Sequence, residues 1–188
     1  MAAGVGVRPR RVRTAGESRS VPAPENSVPR PRAACLAAPM TSVSALGPSG
    51  TPPHVRHAVR ADIDAVLAFW REAAEGTSIS DDRAGAGRLL DRDPEALLLA
   101  ERGGLLVGTV IAGFDGWRCS AYRLAVHPAH RRQGVARALL AAMEDRFASL
   151  GGRRADAMVP EENTRAHGTW GAAGYVREER WRRWVKPV

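Results

Sequence analysis

Residues 125–136 read Ala-Val-His-Pro-Ala-His-Arg-Arg-Gln-Gly-Val-Ala, and this stretch decides the fold. Apolar residues lead up to Pro128, which ends a strand, and after Gly134 the apolar residues recur at the spacing of one helix face. The first turn of a helix has free N–H groups and the positive end of the helix dipole, so it attracts anions. The stretch therefore predicts a strand, a basic loop and a helix start at which a phosphate group can bind.

Two interpretations of this turn are compatible with its composition. Gly134 and Ala136 leave the helix start open to a bulky anion, and Arg131 and Arg132 add positive charge beside it. Taken alone, the same residues also describe an ordinary helix start with exposed arginines. The position of the turn, directly after a strand that ends in Val-x-Pro, favours the phosphate-binding interpretation.

The apolar pattern on either side predicts the remaining elements. Strands are predicted over residues 55–59, 96–100, 105–114, 122–127 and 154–159, with one or two more between residues 175 and 185. Helices are predicted to begin at Asp62, which can cap the first turn, near Ser80, at Gly134 and after Asn163. Antiparallel strands come first and a strand–helix–strand unit follows. The expected fold class is therefore α+β, in α/β/α layers, with helices on both faces of a mixed, mostly antiparallel sheet.

The first 54 residues differ in composition from the rest of the chain. They hold most of the prolines among Ser, Gly and Arg, and such a stretch cannot bury enough apolar surface to offset its ordering entropy. We predict a disordered basic leader over residues 1–54 and one folded domain over residues 55–188. Met40 opens a more ordinary leader, which leaves open whether residues 1–39 are a genuine part of the protein.

The charge distribution and the cysteines restrict the partners and the location. Residues 1–39 hold seven Arg and two Glu, which account for +5 of the net charge of +8, and no aromatic residues are interleaved with them; this argues against a nucleic-acid partner. No apolar run approaches the ~20 residues of a membrane span, and the N-terminus lacks the apolar stretch of a secretory signal. With only Cys35 and Cys119, no disulfide framework is expected, and the prediction is a cytoplasmic protein.

Three segments of the chain, taken together, resemble the GNAT superfamily of acyl-CoA-dependent N-acetyltransferases. They are Arg131-x-x-Gly134-x-Ala136, Leu124-Ala125-Val126-His127-Pro128, and Asn163-x-x-Ala166 followed by Gly174-Tyr175. The first segment matches the pyrophosphate signature Gln/Arg-x-x-Gly-x-Gly/Ala. The middle one is similar to the usual fourth strand, and the last resembles the family's other conserved block. The segments occur in the expected order, and the resemblance covers residues 55–188.

The resemblance implies a sheet whose fourth and fifth strands splay apart, with the pantetheine of acetyl-CoA in the gap. It implies these cofactor-binding residues: Leu124, Ala125 and Val126 for pantetheine, Arg131, Arg132, Gln133, Gly134, Val135 and Ala136 for the diphosphate, and Asn163 for the cofactor arm. A strand with a free edge suits an extended chain that carries amides. No metal is expected, because His127 and His130 lie in a loop without a third ligand.

Asp115 is the candidate general base. Residues 112–118 are similar to an Ala-Gly-(aromatic)-Asp-Gly-x-Arg segment of small bacterial GNAT proteins, and the aspartate is expected at the edge of the acceptor cleft. The alternative is that Asp115 and Gly116 form only a hairpin turn, which is a common use of this pair. Glu161 and Glu162, just after the fifth strand, are further candidates.

Trp170 occupies the position at which many GNAT enzymes carry the tyrosine that protonates the departing thiolate. An indole N–H can donate a hydrogen bond but cannot realistically give up its proton. The expected function is transfer of an acetyl group from acetyl-CoA to a primary amine of a small molecule, peptide or protein. The alternative is a non-catalytic module that senses acyl-CoA. The acceptor, the acyl-chain preference and the oligomeric state, a homodimer included, stay open.

Overall fold

The structure is a computed structural model, and it describes residues 51–186. The leader predicted over residues 1–54 therefore lies almost wholly outside the described residues. The first element among the described residues is a short strand that begins at His54.

A five-stranded sheet forms the centre of the described chain. The strands are β1 His54–His57, β2 Leu97–Arg102, β3 Leu105–Phe114, β4 Cys119–Val126 and β5 Ala155–Ala157. They lie side by side in sequence order. The first four pair antiparallel, and β5 pairs parallel to β4. The mixed, mostly antiparallel sheet expected from the sequence is confirmed.

Four helices cover the two faces of this sheet. They are α1 Ile63–Ala73, α2 Arg83–Arg92, α3 Val135–Ser149 and α4 Thr164–Ala172. In β2, Leu98 belongs to the hydrophobic cluster that contains residues of α3 and α4, whereas Leu97 and Leu99 belong to the cluster that contains residues of α1 and α2. Because successive side chains of a strand point to opposite faces, β2 is buried on both sides. The α/β/α layering is confirmed.

The fourth and fifth strands separate at a defined position. They pair from Cys119 and Ala155 to Ala121 and Ala157, where β5 ends. β4 continues to Val126 without β5 beside it. The opening that this leaves along one edge of β4 is the predicted splay, which is called the gap below.

One predicted element is absent, because the described residues 173–186 form no strand. The terminal strands predicted between residues 175 and 185 are therefore wrong. Tyr175 still packs on the core, but Val176, Trp181 and Trp184 are exposed, so pairing there would bury little apolar surface. β5, with three residues, also offers a short edge for such pairing.

The cap predicted for α1 is also wrong in detail. A single turn of 3₁₀ helix, Arg60–Asp62, precedes α1, and the Asp62 side chain caps no N–H group of that helix. Its carboxylate instead accepts the Val59 N–H and a guanidinium N–H of Arg56, at 2.8 Å and 2.7 Å. The arginine is a stronger partner than a backbone amide, because both groups are charged.

Candidate active site

The exposed edge of β4 lines the gap. The His127 N–H donates to the Val107 carbonyl of β3, at 3.0 Å. Antiparallel pairing uses alternate residues of a strand, so the backbone groups of Val126 point the other way, into the gap. There the Arg131 side chain donates through Nε to the Val126 carbonyl, at 3.2 Å. By the same alternation the groups of Ala125, which pairs with Thr109, face β3.

A sharp turn connects β4 to α3. Pro128–His130 form one 3₁₀ turn, and Arg132 and Gly134 then adopt positive φ angles of 61° and 81°. The Ala138 N–H makes the first helical bond, to the Gly134 carbonyl at 3.0 Å. The N–H groups of the three residues before Ala138 therefore have no carbonyl of the preceding turn to bind. A Cβ at Gly134 would meet no atom within 4 Å, so the space before this helix start is open.

Val135 anchors the helix start to the sheet. Its side chain is 1% exposed and packs above Gly108 of β3, where a Cβ would lie only 2.7 Å from Val135 Cγ1. Gly108 thus permits a close approach of α3 to β3. Because the Val135 side chain faces the core, the residue offers a ligand its backbone N–H alone.

Gln133 is held inside the turn, and one of its partners was not predicted. Its side-chain amide donates to the Ala129 carbonyl at 3.0 Å, and its own carbonyl accepts from Arg102 Nη2 at 3.2 Å. Arg102 Nη1 also binds the Gln133 side-chain oxygen. Arg102 ends β2, 31 residues away in sequence, so no local pattern could have indicated it. It brings a further cation to the turn that contains Arg131 and Arg132.

Asn163 caps α4. Its side-chain oxygen accepts the Ala166 N–H at 3.1 Å. The cap uses the oxygen alone, so the side-chain nitrogen can still donate to a ligand. Trp170 lies two turns further along α4 and is 9% exposed. Its ring meets that of Tyr175 edge-on, with the centroids 4.8 Å apart.

Asp115 lies at the tip of the β3–β4 hairpin and is pinned there by the backbone. Its carboxylate accepts the N–H groups of Trp117 and Arg118, at 2.8 Å and 2.7 Å. These two bonds, that from Arg118 first, hold the pKa of the carboxyl below its ordinary value. The gap opens beyond Ala121, six residues along the chain from this tip. A low pKa and this position favour the turn interpretation, and the base role stays a prediction.

The other acidic and histidine candidates have separate hydrogen-bond or salt-bridge partners, although the rings of His127 and His130 meet edge-on with their centroids 5.6 Å apart. Glu161 is exposed and pairs with Arg177 at 2.7 Å. His127 accepts the Ala129 N–H through Nδ1, at 3.2 Å, so its proton sits on Nε2 and is donated to Glu72 at 3.0 Å.

Among residues 51–186, no three His, Cys, Asp or Glu side chains come close enough to hold a metal ion together. No helix in the same part of the chain is long and apolar enough to cross a membrane.

The family of the chain follows from comparison with known proteins. The model of the acetyltransferase (GNAT) family matches residues 63–175, which is more than half of the chain. The chain therefore belongs to this family, and the resemblance found in three sequence segments is confirmed.

Curated relatives and solved structures agree with this assignment. An acetyltransferase of Yersinia pseudotuberculosis is 34% identical over 118 residues, which are 63% of this chain and 84% of the relative. An acetyltransferase of Pectobacterium atrosepticum is 37% identical over 102 residues, which are 54% of this chain and 72% of the relative. Both relatives align over most of their own length.

Two solved structures have the same fold. AAC(6')-Iy in complex with a bisubstrate analogue has a TM-score of 0.61 and 20% identity, covering 73% of this chain and 100% of that one. A Salmonella typhimurium protein described as a putative acetyltransferase with its cofactor acetyl-CoA has a TM-score of 0.55 and 19% identity, covering 67% of this chain and 80% of that one. At such identities the likeness shows the fold alone.

Proposed function

We propose that the protein transfers an acetyl group from acetyl-CoA to a primary amine of a small molecule, peptide or protein. One observation carries this proposal: the free edge of β4 leads, through the short turn of residues 127–133, to the open helix start at Gly134. The pantetheine arm of CoA is an extended chain with two amides, and it ends at a diphosphate. A free strand edge suits the amides, and a helix N-terminus suits the diphosphate.

The proposed binding residues have different parts in this arrangement. For pantetheine, Leu124 and Val126 supply backbone groups at the gap, whereas Ala125 contributes packing, because its backbone faces β3. For the diphosphate, the N–H groups of Val135 and Ala136 act with the positive charge of Arg131 and Arg132. Gln133 shapes the turn through its contacts with Ala129 and Arg102. Asn163 supplies its side-chain nitrogen.

Acyl transfer at this site relies on orientation more than on a strong acid or base. Acetyl-CoA supplies the activated acyl group as a thioester. A neutral amine held beside it forms the new C–N bond as the C–S bond breaks, CoA leaves as the thiolate, and the proton that the amine loses passes to solvent water. A backbone N–H at the edge of β4 can polarise the thioester carbonyl. Trp170 is proposed to donate a hydrogen bond to the sulfur as it leaves.

The Gly134→Asp variant tests the binding site. The new carboxylate would stand where the diphosphate approaches, so the affinity for CoA should fall at least about tenfold, or ~1.4 kcal/mol. Because Gly134 has a φ of 81°, any side chain there strains the backbone. Gly134→Asn is therefore the matched control, since it has the same shape and strain without the charge.

Calorimetry with CoA should show a smaller loss for Gly134→Asn than for Gly134→Asp. Equal affinities in the two folded variants would contradict a diphosphate at this turn. Thermal unfolding of both variants checks that each is folded at the temperature of the titration.

A non-catalytic acyl-CoA sensor is the other candidate, and Trp170 is the observation that favours it. An indole in place of a phenol removes the ordinary proton donor for the leaving thiolate. A screen of amines and peptides for release of free CoA separates the two functions. Release with any acceptor above the hydrolysis background supports the transferase, whereas tight CoA binding without release across the screen supports the sensor.

A further inference from the structure

β4 contains a bulge at the point where the gap opens. Thr109 pairs with Ala125, and Ile111 pairs with Tyr122, so Val110 alone faces both Arg123 and Leu124. Arg123 adopts a φ of 51°, in the left-handed region that a residue with a Cβ rarely enters. Such a conformation persists only where neighbouring contacts hold it.

A buried hydroxyl holds the backbone of this bulge. The Thr109 side chain is 0% exposed, and its Oγ1 donates to the Arg123 carbonyl at 3.0 Å. The same oxygen accepts the indole N–H of Trp70, from α1, at 2.9 Å. The Thr109 hydroxyl thus donates its one proton to the Arg123 carbonyl. It is available for this bond because the Trp70 indole N–H donates to the same hydroxyl oxygen, which acts there as acceptor.

The Arg123 side chain ties a loop to the same bulge. Its guanidinium lies 5.7 Å from the centre of the Trp70 ring, is largely buried, and pairs with Asp81, with Nε 2.9 Å from Oδ1. Nη1 also donates to the Gly76 carbonyl at 3.2 Å. Asp81 and Gly76 belong to the connection between α1 and α2, residues 74–82, which is called the α1–α2 loop below.

The planarity of the peptide bond connects these contacts to the gap. In a trans peptide the C=O of one residue and the N–H of the next point in opposite directions. The Arg123 carbonyl is drawn towards Thr109 of β3. The Leu124 N–H, which belongs to the same peptide, is therefore directed away from β3 and into the gap.

We propose that Thr109 and Arg123 are positioning residues: Thr109 aims the Leu124 N–H at the thioester carbonyl, and Arg123 holds the α1–α2 loop against the same bulge. This inference rests on the proposed function. It assigns to the pair a task that neither residue performs by contact with the reacting atoms. The contacts of Thr109 and Arg123 connect the bulge in β4 to the α1–α2 loop, so a displacement of either one disturbs the other.

The ratio of the affinities for acetyl-CoA and CoA measures the hydrogen bond from the Leu124 N–H to the thioester carbonyl, because only acetyl-CoA carries that carbonyl. Thr109→Val keeps the shape of the side chain and removes its proton. Its affinity for acetyl-CoA should fall about fivefold relative to its affinity for CoA, as expected for one misdirected hydrogen bond. Thr109→Ser keeps the hydroxyl and should restore the wild-type ratio. Calorimetry on the full chain provides both constants.

Another pair of variants tests the Arg123 contact without changing the core. Asp81→Asn removes the charge that holds the guanidinium, whereas Asp82→Asn changes a neighbouring carboxylate that caps α2, a task that asparagine also performs. Hydrogen exchange should become faster in residues 74–82 of Asp81→Asn, with a lowered affinity ratio, and should stay at the wild-type level in Asp82→Asn.

Three possible results show whether the positioning inference, the part that concerns Arg123, or the proposed function has failed. If the wild-type chain binds CoA and acetyl-CoA but Thr109→Val keeps the wild-type ratio, the positioning inference is overturned and the proposed function stands. Identical exchange and ratios in Asp81→Asn and Asp82→Asn overturn the part that concerns Arg123, even if Thr109→Val does not fold. If the wild-type chain binds neither ligand, the proposed function fails and this inference fails with it.

Discussion

Trp170 makes a structural contact in the core and is also the proposed hydrogen-bond donor to the leaving sulfur. Its ring packs edge-on against Tyr175, and both rings belong to the core beside α3. Tyr175 is the nearest phenol along the chain that could replace the missing proton donor. Burial raises its pKa to about 12, which makes its proton harder to release. Departure of the thiolate with hydrogen-bond support alone is therefore the simpler mechanism, since thiols have ordinary pKa values near 8.5.

Trp170→Phe should lower kcat by less than about tenfold, or ~1.4 kcal/mol, because it removes one hydrogen-bond donor and keeps an aromatic ring in the core. Trp170→Tyr keeps a donor and should preserve kcat. The measurement is kcat for both variants with an acceptor identified in the amine screen, alongside CoA affinity. A loss above a hundredfold in Trp170→Phe with CoA binding intact would instead make the indole N–H central to catalysis.

At the scale of a structural element, the turn of the β3–β4 hairpin explains the structural role of Asp115. The turn reverses two strands in few residues, and Gly116, with a φ of 94°, supplies the backbone conformation that the reversal requires. The Asp115 carboxylate binds two N–H groups of the same turn. Its lowered pKa means that this contribution to stability is present above the ordinary pKa and is lost as the pH falls through the folded-state pKa, below about pH 4.

Asp115→Asn should lower the melting temperature slightly at neutral pH and leave kcat within about threefold of the wild type, because an amide oxygen accepts the same bonds more weakly. The difference in melting temperature should shrink as the pH falls below about 4 and through the lowered pKa of the wild-type carboxyl, which then becomes protonated in the folded protein. A general base would behave differently, with turnover reduced ~10²-fold and CoA affinity kept. Parallel melting curves and kinetics decide between the two roles.

At the scale of the whole described chain, residues 51–186, two hydrophobic cores share one sheet. Among the described residues, the core on the α3 face and the core on the α1 and α2 face are assembled from residues 55–175. The family model covers residues 63–175 of the same region. The domain proposed over residues 55–188 thus contains the contacts that build these two cores and position the gap.

A chain that starts at Met40 should fold and bind CoA as the full chain does, because residues 1–39 have the composition of a segment without a core. Its melting temperature is expected to lie within about 2 °C of the full chain, since a difference of 1 kcal/mol shifts this temperature by several degrees. Thermal unfolding and calorimetry on the two chains provide the comparison. Loss of the cooperative transition in the shorter chain would show that the leader takes part in the fold.

Local signals explain why much of the fold could be predicted from the sequence. Pro128 ends a strand and Gly134 opens a helix through restrictions on their own backbone, and the Gly103-Gly104 turn between β2 and β3 has the same kind of cause. Two predictions were wrong, and in both the outcome depends on another part of the chain. Asp62 binds Arg56 instead of capping α1, and the terminal strands lack a long edge with which to pair.

The sequence by itself determined the order of the elements, the family and the turn at Gly134, because each depends on residues that are neighbours in the chain. The tertiary structure alone decided how the site is held. Arg102 reaches Gln133 over 31 residues, Arg123 reaches Asp81 over 42, and Thr109 reaches the Arg123 carbonyl over 14. Side chains so far apart in sequence meet only when the sheet and helices have packed, and no local pattern records which of them will do so.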